Sequence, residues 1–141
     1  MTENKYSCVI LADRSFELTE GVRGLLETMF ESVVIVANVT SLLDSADRLQ
    51  PEMAAVDLSL GHDGSLHWIR ELRKRCPGTK LLALSVYEGE SVKSAATDAG
   101  CEGFLLKRAI AAELLPTVER LLFHLNGQQR PTSTTDGNAD G

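Results

Sequence analysis

Residues 51–60 read Pro51-Glu52-Met53-Ala54-Ala55-Val56-Asp57-Leu58-Ser59-Leu60. Met53 to Val56 are apolar without a break, lack the alternation of a half-exposed strand, and run straight into a carboxylate. A short continuous run behind a proline is the pattern of a strand covered on both faces. Four other stretches share it, at 8–11, 33–36, 81–84 and 104–106.

Segments with helical spacing separate these runs. Leu18, Val22, Leu25, Leu26 and Met29 form one stripe, with Ser15 placed to cap it and Glu17 in its first turn. Leu42, Leu43, Ala46 and Leu49 form a second, closed by Pro51, and Leu66, Ile69, Leu72 and Cys76 a third, closed by Pro77-Gly78. The fourth, Val92, Ala95, Ala96 and Ala99, is small-sided and stops at Gly100. The fifth carries Ile110, Leu114, Val118, Leu121, Leu122 and Leu125, and Pro116 inside it predicts a late start or a slight bend. From Asn126 the composition turns polar, so residues 1–125 read as one domain and 126–141 as a disordered tail.

Strands alternating with helices predict an α/β domain with a parallel sheet and right-handed crossovers. Five strands in 141 residues favour the flavodoxin-like, doubly wound order 2-1-3-4-5, for which the general rule puts ligands beyond the carboxyl ends of the strands. The composition, 43% apolar and 24% charged, is that of a soluble globular protein. A net charge of −6 argues against a surface for the phosphate backbone of nucleic acids. No apolar run is long enough to span a membrane, and the N-terminus is too polar for a signal peptide. Cys8, Cys76 and Cys101 are odd in number and show no metal-ligand spacing, so reduced thiols in a cytoplasmic protein are expected.

The carboxyl ends carry the chemistry. The first strand ends in Asp13-Arg14, the third in Asp57, the fourth in Ser85 and the fifth in Lys107. Each alone has a plain explanation as a cap, a turn residue or a solvated charge. Together, on one edge of one sheet, they suit phosphoryl chemistry. One carboxylate can serve as nucleophile, another can help hold a divalent cation, and a hydroxyl and an ammonium can bind the oxygens of the transferred group.

With those residues in place, the chain resembles the receiver domain of bacterial response regulators over roughly residues 6–125. The matching pieces are 9–13, ending in the first acid; 51–60, around the acceptor aspartate; 83–85, ending in the hydroxyl; and 99–107, with the aromatic and the lysine. The resemblance implies that Asp57 is the phosphoacceptor, that Ser85 and Lys107 bind the phosphoryl oxygens, and that Ser85 and Phe104 form the switch. It implies Mg²⁺ as cofactor, on Asp13, Asp57 and the Ser59 backbone carbonyl. It further implies a signalling rather than an enzymatic role, with a sensor histidine kinase or phosphotransfer protein as donor. A downstream protein would be met through the face of helix 4, strand 5 and helix 5. Nucleic acid and membrane are not expected as partners of this chain alone, and a homodimer is left open.

Four departures from the family pattern carry expectations of their own. Arg14 stands where the second of two adjacent acids is usual, which weakens Mg²⁺ binding, and it pairs with Asp57 or its phosphoryl group or else swings out to solvent. A one-residue shift would instead make Asp13 the metal-touching acid and Ala12 the lost one. Arg108 follows Lys107 where proline is common, so no cis peptide is expected there. Ser65 replaces a usual glycine after Asp63-Gly64, suggesting a re-routed loop, and Val86 follows Ser85 where alanine is common and narrows the entry.

Rival readings follow from the same residues. A degenerate receiver would act as a phosphorylation-independent interaction module; Arg14 supports it, and Asp57, Ser85 and Lys107 oppose it. An aspartyl phosphatase would want a second carboxylate at position 59, which is serine. A flavodoxin would want a Ser/Thr/Gly-rich loop after the first strand, and 14–17 are Arg-Ser-Phe-Glu. His62, His67 and His124 lack ligand spacing, with His124 placed to complement a helix dipole, and Trp68 reads as packing.

Overall fold

A computed structural model describes residues 5–128, with side chains through Phe123. The chain alternates β1 (Tyr6–Ala12), α1 (Phe16–Leu26), β2 (Phe30–Val36), α2 (Val39–Leu49), β3 (Met53–Asp57), α3 (His67–Arg75), β4 (Lys80–Ser85), α4 (Glu90–Ala99) and β5 (Gly103–Leu106). A 3₁₀ turn (Lys107–Ala109) then leads into α5 (Ile110–Gln128). The strands are parallel in the order β2-β1-β3-β4-β5, as the sequence predicts.

Every residue of the central strand β3 is buried, because both of its faces are covered. One face packs under α2, α3 and α4, through Ile10, Ala54, Val56, Leu42, Ile69, Leu72 and Ala96 among others. The opposite face packs under α1 and α5, through Leu11, Ala55, Leu84, Val22, Leu114, Val118 and Leu122. Of α4 only Ala96 and Ala99 are buried, so this helix is the least anchored of the layer. Among the described residues, no helix is long and apolar enough to cross a membrane.

The helix ends follow their local chemistry. The Ser15 hydroxyl accepts from the Leu18 amide at 3.2 Å and Asn38 caps α2 through the Ser41 amide at 2.8 Å. Ahead of Pro51, Gln50 takes a left-handed conformation (φ 45°) that ends α2, and its amide donates to the Ala46, Asp47 and Arg75 carbonyls. Gly100 (φ 127°) closes α4, as its sequence position predicts.

Pro116 does not delay α5. The helix starts at Ile110 and carries the proline inside, because Ile110, Leu114, Val118 and Leu122 dock as one buried stripe and outweigh the bond that the Ala112 carbonyl loses. The helix also runs through Gln128, three residues into the stretch read as tail; residues 129–141 lie outside the described residues. His124 is within this helix, but its side chain is outside them too.

The three cysteines are free, and burial pushes the Cys101 thiol up to about 12. Trp68 is packing, as expected: it lies in the first turn of α3, buried in the core on that side of the sheet, and its indole N–H donates to the Ser65 carbonyl at 3.1 Å. That indole lies across Gly61, where an added Cβ would come within 2.7 Å of Nε1 and 2.9 Å of Cδ1. Gly61→Ala must therefore push the indole or the loop aside, costing about 1–3 kcal/mol. Urea unfolding should show a lower midpoint, with tryptophan emission shifted to the red in the folded state. An unchanged midpoint and spectrum would show that the loop yields freely.

Candidate functional site

Parallel pairing brings the carboxyl ends of the strands to one edge. Ala12 is opposite Val56 across β1 and β3, Asp57 opposite Leu84, and Ser85 opposite Leu106. Asp13, Asp57, Ser85 and Lys107 therefore gather where the sequence expects them, and the first three are buried.

Asp13 is fixed from two sides. Its amide donates to the Val36 carbonyl at 3.0 Å, and its Oδ1 accepts from the Ser15 amide at 2.8 Å. Its Oδ2 is buried without an aligned hydrogen bond, although Lys107 Nζ is 2.8 Å away. Charge rather than directional bonding holds that oxygen. The same ammonium lies 3.4 Å from Asp57 Oδ2, so one cation serves two nearly buried carboxylates.

Asp57 is also bound by its own loop. The Ser59 amide donates to Oδ1 at 3.0 Å, and the Ser59 hydroxyl lies 3.0 Å from Oδ1 and 2.9 Å from Oδ2. The turn is closed by the Leu60 amide on the Asp57 carbonyl at 3.0 Å. The sequence assigned Ser59 only a backbone carbonyl and missed its hydroxyl. A serine two residues beyond a strand-end aspartate is a signal for such a turn.

Ser85 is buried at the edge but engaged elsewhere: its Oγ donates to the Tyr87 carbonyl at 2.8 Å and accepts from the Tyr87 amide at 2.9 Å. Phe104 is half-buried against the α2–α4 side of the sheet and lines a shallow groove of about 250 Å³ with Gly89, Glu90, Lys93 and Glu113. Beside the site, Arg108 pairs with Glu88 at 2.7 Å, linking the loop after β5 to the loop after β4. No peptide bond is cis among the described residues. Val86 is largely exposed.

Arg14 neither pairs with the Asp57 carboxylate nor swings free into solvent. Its guanidinium donates to the Ser59 carbonyl at 2.7 Å and the Leu60 carbonyl at 3.1 Å, and among the described residues it makes no ion pair with Asp57. A divalent cation at this edge would draw on Asp13, Asp57 and the Ser59 carbonyl. Lys107 sits on both carboxylates and Arg14 on the carbonyl, so the donor set as arranged does not fit one. Among the described residues no cluster of three or more His, Cys, Asp or Glu could hold a metal.

Comparison with known proteins places the fold and the sequence in one family. The model of the response regulator receiver domain matches residues 9–119. The transcriptional regulatory protein DegU of Brevibacillus brevis is 28% identical over 121 residues, covering 84% of this chain and 51% of that protein. The chain spans about half the length of the curated relatives it matches. A response regulator from Thermotoga maritima superposes with a TM-score of 0.75 at 25% identity, covering 84% of this chain and 98% of the other. The receiver domain of the histidine kinase CKI1 from Arabidopsis thaliana, complexed with Mg²⁺ and BeF₃⁻, shares the fold with a TM-score of 0.70 at 18% identity, covering 84% and 90%. With a family match across most of its length, a 2-1-3-4-5 sheet and two aspartates, a serine and a lysine at its carboxyl edge, this chain belongs to the response regulator receiver domain family.

Proposed function

We propose that Asp57 accepts a phosphoryl group from the phosphohistidine of a sensor histidine kinase or phosphotransfer protein, and that the chain passes the event to a downstream protein in the cytoplasm. The observation that carries this reading is the Asp57 carboxylate itself, at the end of β3, with Lys107 Nζ 3.4 Å and Ser59 Oγ 2.9 Å from Oδ2. A lone pair of that carboxylate attacks phosphorus. The P–N bond breaks, its electron pair stays on the imidazole, which takes a proton from solvent, and an acyl phosphate is left on Asp57. Lys107 then faces the added negative charge. The Arabidopsis receiver carries Mg²⁺ with BeF₃⁻; here Lys107 and Arg14 stand on the groups such an ion would use, so charge neutralisation falls to the chain's own cations. The experiment is intact-mass measurement of the wild type and Asp57→Asn after exposure to a small acyl phosphate.

The signal would leave through Ser85 and Phe104. New oxygens on Asp57 offer the Ser85 hydroxyl an alternative to Tyr87, and Phe104 would turn toward the space it leaves, shifting α4, β5 and α5. Amide resonances of residues 88–106 should therefore move when BeF₃⁻ binds the wild type. In Ser85→Ala they should move much less, while those of 57–60 still shift. Spared 88–106 resonances in the wild type would rule out this route. The rival reading, a phosphorylation-independent interaction module, draws on the Arg14 and Ser85 hydrogen bonds, which already occupy groups the phosphorylated state would use. It predicts no mass gain on any residue.

A further inference from the structure

The guanidinium of Arg14 makes two adjacent donations to consecutive carbonyls, 2.7 Å to Ser59 and 3.1 Å to Leu60. Those carbonyls belong to the turn whose Ser59 amide and hydroxyl bind the Asp57 carboxylate. Arg14 thus reaches across from the end of β1 and fixes the loop that shapes the acceptor. We infer that Arg14 is the resident cation of this site, holding the loop after β3 in place of a divalent ion, so that phosphoryl transfer to Asp57 proceeds without one. The inference rests on the reading of Asp57 as phosphoacceptor.

Two arguments support it. First, charge: Lys107 already lies on both carboxylates, and Arg14 adds a second positive charge at the Ser59 carbonyl, so the formal sum over Asp13, Asp57, Lys107 and Arg14 is zero before any metal arrives. An added divalent ion would stand beside two fixed cations, with the Ser59 carbonyl already in use. Second, geometry: a planar, permanently charged fork suits two neighbouring carbonyls, and its pull on them is the pull a metal would exert on one. Arg14 is accordingly a positioning residue that acts on Asp57 through the turn.

The test has two arms on the full chain. In the first, Mn²⁺ is titrated into the wild type, Arg14→Lys and Arg14→Asp while paramagnetic broadening of the residue 57–60 amides is followed. Selective broadening should be absent in the wild type and in Arg14→Lys, and present in Arg14→Asp with an affinity at least about tenfold higher. In the second, the rate of mass gain from an acyl phosphate is measured in chelator and in excess Mg²⁺. The wild type and Arg14→Lys should react at rates that Mg²⁺ does not change, and Arg14→Asp should become Mg²⁺-dependent by about tenfold. Equal Mn²⁺ broadening in wild type and Arg14→Asp overturns the inference, as does a wild type that gains mass only with Mg²⁺. If no variant gains mass under any condition, the acceptor reading falls and takes the transfer step with it. The Mn²⁺ arm then still decides whether Arg14 keeps divalent ions out.

Discussion

Asp57→Asn should remain folded, match or slightly exceed the wild type in stability, and gain no phosphoryl mass from an acyl phosphate. Two carboxylates stand at the site, and the structure discriminates between them. Asp13 uses Oδ1 on the Ser15 amide and presses Oδ2 against Lys107, with its side chain 2% exposed. Asp57 is 8% exposed and is bound chiefly by Ser59, a residue of its own loop. An attacking oxygen must reach a phosphorus atom arriving from solvent, and Asp57 is the more open of the two. Asparagine keeps the shape and can still accept from the Ser59 amide, but it lacks the anionic nucleophile. Removing one of two anions that share one ammonium also relieves like-charge repulsion, so folding should not suffer. Intact mass, peptide mapping and thermal unfolding check the three parts. Mass gain on Asp57→Asn, or a wild-type label mapped to Asp13 or Ser85, would sink the assignment.

The strands and the site edge were legible because they rest on topology. A continuous run such as 53–56, too short for a helix and set behind Pro51, reads as a strand buried on both faces, and parallel pairing then sends every strand-end residue to the same side. That is why topology alone groups Asp13, Asp57, Ser85 and Lys107. The start of β2 was less legible. It begins at Phe30, but Glu31 and Ser32 break the apolar run, as an edge strand with a partly exposed face allows. Pro116 misled because local propensity was set against an unseen docking stripe, and the stripe wins. The target of Arg14 was not legible at all. It depends on where the backbone of 59–60 turns after Asp57, and periodicity carries no information on that path. The pairing of Ser85 with Tyr87 escaped for the same reason: a strand-end hydroxyl can face the cleft or its own loop, and only the loop conformation decides.

Lys107→Met should be the most destabilising substitution at the site, costing about 3 kcal/mol. Methionine keeps an unbranched apolar stem of similar length, so the change isolates the ammonium from its packing. What it leaves behind decides the magnitude. Asp13 Oδ2 is buried, accepts no aligned hydrogen bond and is held by that ammonium at 2.8 Å, while Asp57 Oδ2 loses its cation at 3.4 Å. Arg14 is in no position to replace it, being committed to the Ser59 and Leu60 carbonyls. Two neighbouring carboxylates would then face each other at a nearly dry edge. The Lys107 side chain is 17% exposed, so water at the mouth softens the loss and places it at the lower end of the range for a broken buried pair. If charge is the cause, adding Asp57→Asn should recover a substantial part, with a coupling of about 1–2 kcal/mol in the double-mutant cycle. If packing were the cause, the two effects would simply add. Urea unfolding of the four proteins reads the cycle directly, with a common slope required for the comparison. Equal stability of wild type and Lys107→Met would show that the two carboxylates do not depend on the ammonium, and the electrostatic account of the site would have to be abandoned.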